Sequence, residues 1–202
     1  VTATGEVPQT WLDAGVKLGA TLTATGLDCD FKKALANNDY HRILFAADAA
    51  ASDEASYTSL MAMVQTLAGL SAQERPKVWL CTRDTQKVIS SDQVLGYHQA
   101  GLWGVARVLG LEMPGLLGGV VDLDAIGDAS EGSHLLGEVL RIDAHADQVA
   151  FRGGKRHVPS LVQAKAHEGS AFSVDGAGAH LITGGMGALG KVFARWLIER
   201  GA

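Results

Sequence analysis

With 202 residues, the chain is long enough for one large or two small domains. A hydrophobic content of 47% beside 19% charged residues excludes a disordered chain. The formal net charge of −5 gives no basic field for nucleic acid or an anionic membrane, and no stretch approaches the roughly 20 apolar residues that span a bilayer.

Val1-Thr2-Ala3 reads as the end of a strand, and no basic-then-apolar leader follows it. Residues 20–25 are strand-like and precede a short helical run over 31–36. Residues 41–47 form a buried-strand run. Asp53 then opens a helix whose apolar face is Tyr57, Leu60, Met61, Val64 and Leu67, the three-then-four spacing of an amphipathic helix. Residues 77–82 are the next strand. Residues 97–113 are a helix with Leu102, Val105, Ala106 and Leu109 on one side, ended by Pro114-Gly115. A strand over 119–123 and a helix over 134–142 follow.

Such alternation predicts an α/β fold: a Rossmann-like, open, mostly parallel sheet with helices packed on it. Residues 148–162 break the rhythm as two extended runs around Arg152-Gly153-Gly154-Lys155, a hairpin turn. Residues 163–178, rich in Ala, Gly and Ser, read as a linker. The pattern then restarts with a strand over 180–183 and a helix over 188–199, whose buried stripe is Leu189, Val192, Phe193, Trp196 and Leu197. One Rossmann-like unit therefore spans 1–162, and the first β-α unit of a second begins at 179. The strand-like start and the stop at Arg200-Gly201-Ala202, directly after a helix, predict a fragment cut at both ends. Cys29 and Cys81 both sit in apolar stretches and read as reduced core thiols of a reducing, cytoplasmic compartment.

The chemistry-bearing motif is Thr183-Gly184-Gly185-Met186-Gly187-Ala188-Leu189-Gly190, placed between the predicted strand and helix. Gly184 and Gly185 permit a tight turn. Gly187 has no Cβ, so backbone amides can approach a pyrophosphate. Gly190 lets helix and strand pack closely. The helix N-terminus adds unsatisfied N–H groups and partial positive charge. The catalytic residues that hydride chemistry beside a bound dinucleotide would need are another matter. A proton-donating Tyr is needed, helped by Lys and Ser, but Leu44, Met61 and Gly101 stand four residues after Tyr40, Tyr57 and Tyr97. No catalytic residue is assigned, and no His or Cys spacing suggests a metal.

Thr183 to Gly190 resembles the Thr-Gly-Gly-x-Gly-x-Leu-Gly fingerprint of ketoreductase domains in modular polyketide synthases. Residues 100–114, from Ala-Gly-Leu-Trp-Gly to Leu-Glu-Met-Pro, look like a helix of the structural subdomain of that family. Residues 118–124 look like its next strand, and 147–161 like the segment that closes it. The resemblance covers roughly residues 40–202.

It implies two Rossmann-like halves, of which 1–162 is structural and binds no cofactor. The other half belongs to the short-chain dehydrogenase/reductase type. It binds NADPH and reduces the β-keto group of a chain carried on an acyl carrier protein. Thr183, Gly184, Gly185, Gly187, Leu189 and Gly190 fall at its pyrophosphate turn, and the catalytic Lys, Ser, Tyr and Asn are expected downstream. The implied partners are the rest of the catalytic half, the acyl carrier protein and neighbouring synthase domains. The short linker implies no enoylreductase inserted between the halves. The alternative is a pseudo-ketoreductase retained as an interdomain scaffold; the intact glycine turn favours the working enzyme, since those glycines cost backbone entropy.

Three other features have plain readings. One Arg152-Gly153-Gly154 on a hairpin is a turn rather than an RNA-binding tract. Asp122 and Asp124 share a strand face and read as turn caps rather than paired acids. Trp103 and Arg107, four apart on one helix, read as a contact with the missing half, the alternative being core packing.

Overall fold

The computed structural model describes residues 2–3, 7–20, 30–36, 40–46, 53–71, 73–141, 146–164 and 173–202. It divides into two units, Val1–Ser160 and Leu161–Ala202. The first holds, in chain order, β1 (Thr2–Ala3), α1 (Gln9–Lys17), α2 (Phe31–Ala36), β2 (Arg42–Ala46), α3 (Asp53–Ala68), β3 (Lys77–Arg83), α4 (Ala100–Glu112), β4 (Leu117–Leu123), α5 (Glu131–Val139), β5 (Gln148–Arg152) and β6 (Lys155–His157). A 3₁₀ turn over Tyr97–Gln99 leads into α4, so the helix expected from residue 97 starts with tighter winding. The strand expected over 20–25 lies outside the described residues except Ala20, and Cys29 and Ile142 also lie outside them.

β1 to β5 are parallel neighbours in chain order, and β6 adds an antiparallel edge. Parallel strands need crossovers, and here helices cover both faces. That explains the unbroken apolar runs. Ile43 and Phe45 enter the core beneath α2, α3 and α4, whereas Leu44 enters the core beneath α1 and α5. Val78 and Leu80 divide from Trp79 and Cys81 in the same way, as Val120 does from Val121. Because the strand order runs one way, α5 on the opposite face gives the β4–α5–β5 crossover the opposite hand to β3–α4–β4. One of these crossovers therefore departs from the prevailing right-handed rule.

Several side chains pin α5 in place. Arg83 makes two bonds to Glu131, at 2.7 and 2.9 Å, and Trp11 Nε1 donates to the same carboxylate at 3.2 Å. Arg156 of β6 makes two bonds to Glu138, at 2.7 and 2.8 Å, and Glu138 is buried. The expected hairpin forms: Gly153 and Gly154 have φ of +55° and +71°, and Arg152 pairs with Lys155 across the turn. Two consecutive positive φ values are the geometry of a type I′ turn and favour glycine at both positions.

The register of β4 on β3 jumps at Gly118, with Val78 opposite Leu117 and Trp79 opposite Gly119. The Trp79 indole fills the space that side chains at Gly118 and Gly119 would need.

Three expectations are corrected. On α3 the buried face is Leu60, Met63, Val64 and Leu67, while Met61 is 43% exposed. Both methionines fit a three-then-four pattern, and the helix is rotated toward Met63. In the second unit, whose described residues hold α6 (Ala188–Glu199), residues 180–183 form no strand. A strand exists through its ladder, and among the described residues none runs beside this segment. For the same reason the apolar stripe of α6 is not buried: Leu189, Val192 and Phe193 are exposed, and Trp196 and Leu197 half-buried. Cys81 is buried as expected, and burial pushes its thiol pKa far up, so it stays protonated and unreactive.

The rotation of α3 can be checked by urea denaturation. Met63→Ala is expected to cost about 2–5 kcal/mol, and Met61→Ala no more than about 0.5 kcal/mol.

Candidate functional site

The glycine turn is built from two overlapping backbone turns. Gly185 N–H donates to the Ile182 carbonyl at 3.2 Å, and Gly187 N–H to the Gly184 carbonyl at 2.9 Å. Gly184 carries φ +70°, which a side chain would resist. Gly190 is buried where a Cβ would lie 2.5 Å from the Gly184 carbonyl oxygen, so this position excludes any larger residue. Gly187 caps α6 in extended conformation, with no side chain capping the helix. Thr183, Gly184, Gly187 and Leu189 are exposed and Gly185 is half-buried. An exposed helix start with uncapped N–H groups is suited to an anion such as a pyrophosphate.

The titratable residues nearest this turn in sequence are His180 and Lys191, both exposed. All three tyrosines lie in the first unit. Tyr57 donates to the His98 carbonyl at 3.4 Å, and Tyr97 stands edge-on to His98. Among the described residues no cluster of three or more His, Cys, Asp or Glu could hold a metal.

The C-terminal edge of the sheet is the other place to look, because open α/β sheets bind ligands there, at a reversal of strand order. The described strands have no such reversal, and the edge is filled by the protein itself. Asp122 is fully buried. It accepts Thr82 Oγ1 at 2.6 Å, Thr85 N–H at 3.0 Å, Gln86 N–H at 3.1 Å and Arg152 Nη2 at 2.6 Å. Asp124 accepts the Gly153 N–H at 2.9 Å. Both carboxylates serve turns, as expected, and Arg152 of the Arg-Gly-Gly turn is 2% exposed at its side chain rather than offered to RNA.

Sequence reasoning missed Arg152 as a buried charge, together with its second partner Asp92 at 3.0 Å. The signal available was an Arg directly before a two-glycine turn, ending an otherwise apolar strand. Although desolvation opposes it, hydrogen bonds from Val88 N–H, Ile89 N–H and Arg152 hold the Asp92 carboxyl below its ordinary range.

The expected outward role of Trp103 is corrected. It is 5% exposed in this unit's own core, and its Nε1–H donates to Thr82 Oγ1 at 3.0 Å. Only Arg107 of that pair is exposed. The α4 sequence is apolar on several faces, so spacing alone does not choose which one turns inward.

The fold thus defines an open, Rossmann-like α/β unit followed by a glycine turn that starts a helix. Comparison with known proteins narrows this class. Residues 3–161 match the family described as "Polyketide synthase extender module SpnB, Rossmann fold domain", and residues 178–202 match the "KR domain". The chain belongs to the ketoreductase domains of modular polyketide synthases. It is 34% identical over 146 residues to a phenolphthiocerol/phthiocerol polyketide synthase of Mycobacterium tuberculosis, a match covering 72% of this chain and 8% of that protein. It is 38% identical over 142 residues to erythronolide synthase EryA3 of Saccharopolyspora erythraea, covering 70% and 4%.

Among solved structures, the first ketoreductase of the tylosin polyketide synthase matches with a TM-score of 0.78 at 22% identity, over 100% of this chain and 46% of that one. An A-type ketoreductase of a modular polyketide synthase matches at 0.67 and 27%, over 96% and 43%. The chain therefore spans under a tenth of the curated relatives and less than half of the solved ketoreductases. No helix among the described residues is long and apolar enough to cross a membrane.

Trp103→Phe is expected to keep the fold but lower stability by about 1–2 kcal/mol, through loss of the bond to Thr82. Arg107→Ala should change it by no more than about 0.5 kcal/mol. Thermal or chemical denaturation of the two variants reads the difference.

Proposed function

We propose that this chain is the scaffold half and the opening cofactor turn of an NADPH-dependent β-ketoacyl reductase, working on intermediates tethered to an acyl carrier protein. Residues 1–162 act as the structural subdomain, 163–178 as a linker and 179–202 as the start of the cofactor-binding half. The reading is carried by one observation: a collision-free Gly184–Gly190 contact and an uncapped α6 N-terminus at Gly187 give a turn shaped for a pyrophosphate. The membership of the chain in the ketoreductase family supports it.

On this reading Gly184 and Gly185 shape the turn, and Gly187 admits the pyrophosphate to the helix N–H groups. Gly190 holds α6 close, with Thr183 and Leu189 flanking the site. NADPH, when bound, supplies the hydride. The catalytic Lys, Ser, Tyr and Asn belong to sequence that follows the turn in the intact domain, and the whole works in the cytoplasm among neighbouring synthase domains.

The test is a fluorescence titration of NADPH. In an intact ketoreductase domain carrying this sequence, Gly187→Val should raise the Kd for NADPH about tenfold or more by blocking the approach of the pyrophosphate. Residues 1–202 alone should show no micromolar binding. Unchanged affinity in Gly187→Val, or tight binding by this chain alone, would overturn the assignment. An intact domain that binds NADPH but reduces no β-ketoacyl substrate would instead support the scaffold alternative.

A further inference from the structure

Residues 84–96 form a strap that leaves β3 and returns to it before α4. Its ends are tied together: Gly96 N–H donates to the Asp84 carbonyl at 3.0 Å, and Leu95 N–H to Asp84 Oδ2 at 2.8 Å. Asp84 N–H also donates to the Leu123 carbonyl of β4 at 2.9 Å. The strap is built under strain. Asp84 and Val94 have φ of +48° and +59°, and the left-handed region is strongly disfavoured for a β-branched residue such as Val94. Strain of this kind persists only where the surroundings hold it.

Asp122 of β4 holds the start of the strap through Thr85 N–H and Gln86 N–H, and Arg152 reaches its later part. Arg152 Nε donates to Asp92 in the strap at 3.0 Å, and Nη2 to the Gln86 carbonyl at 2.8 Å. The same guanidinium reaches the sheet through Asp122 Oδ2 at 2.6 Å and the Phe151 and Leu123 carbonyls at 2.7 and 3.2 Å. The side chains of Arg152, Asp122 and Asp92 are 2%, 0% and 6% exposed, so bulk salt screens these bonds little. One cation thus bridges two parts of the chain that lie about 60 residues apart.

We propose that Arg152 is the latch of a clasp that keeps the strap of residues 84–96 shut over the carboxyl edge of β3, β4 and β5. The clasp covers the carboxyl edge of the sheet and keeps Asp122 and the ends of β4 and β5 away from solvent. Withdrawing the latch opens the strap as one unit and leaves the layers below it intact. The inference rests on the first unit alone and is independent of whether the glycine turn binds NADPH.

Hydrogen exchange followed by mass spectrometry on the 202-residue chain tests it. In Arg152→Met, peptides covering residues 84–96 should exchange about tenfold faster or more, while those from α3 and β2 stay near the parent rate. Asp92→Asn, which removes the charge facing Arg152 while keeping an amide oxygen to accept Val88 N–H and Ile89 N–H, should accelerate the same peptides to a smaller extent. If Arg152→Met fails to fold, Asp92→Asn decides alone. Strap exchange at the parent rate, or equal acceleration of strap, α3 and β2, would overturn the clasp.

Discussion

Arg152 carries a full positive charge under the edge of the sheet, and much of the first unit's polar architecture follows from keeping that charge satisfied. Burial works against the guanidinium's charge, but hydrogen bonds with Asp122 and Asp92 outweigh it and raise its pKa. Asp122 in turn needs donors for its remaining lone pairs, and takes them from Thr82, Thr85 and Gln86. Thr82 then has an oxygen free to accept from Trp103 and so orients α4. A buried pair of this kind contributes little net stability compared with an apolar replacement, yet removing one partner costs about 3–5 kcal/mol. Here its bonds join the ends of β4 and β5 to Gln86 and Asp92 of the 84–96 segment.

The same arrangement separates the two units chemically. In the first, the strands run in chain order and the edge is occupied by the protein's own side chains. Among the described strands there is no reversal of order of the kind on which nucleotide-binding sheets rely. In the second, the turn before α6 leaves backbone N–H groups exposed and keeps side chains away from the helix start. Two stretches with similar β-α rhythm thus differ in the property that matters for binding. One directs its polar groups inward at each other, and the other leaves them unpaired toward solvent.

Most of the layer structure was legible in the sequence because it depends on short-range pattern. The runs that became β2 and β3 are apolar on both faces, as strands covered on both sides must be. The two glycines after Arg152 announced their turn. The misreadings arose where the pattern is degenerate or the cause is distant. Met61 and Met63 both extend an apolar stripe, so the rotation of α3 is set by what packs on it. Trp103 packs inward among core side chains from other elements, where Thr82 gives its Nε1–H an acceptor. Arg152 looks like a surface charge until Asp92 and Asp122 are brought to it by the fold, which no local stretch of sequence reveals. Residues 180–183 have strand composition, but composition does not supply a neighbouring strand.

The contrast within the second unit sharpens this point. The glycine turn takes its shape from bonds spanning three residues and from the Gly184–Gly190 approach, so its geometry is encoded within Thr183 to Gly190 themselves. The strand before it and the stripe of Leu189, Val192 and Phe193 behind it require surfaces from elsewhere, and here those side chains remain exposed. The anion-binding shape therefore does not depend on the packing that would bury the helix. Local backbone geometry makes the turn fit for a pyrophosphate. Covering the stripe of α6 is a separate requirement, because so much exposed apolar area on one helix favours association with another surface. Shape and burial are thus distinct conditions on neighbouring parts of one segment, and only the first is met by the residues within it.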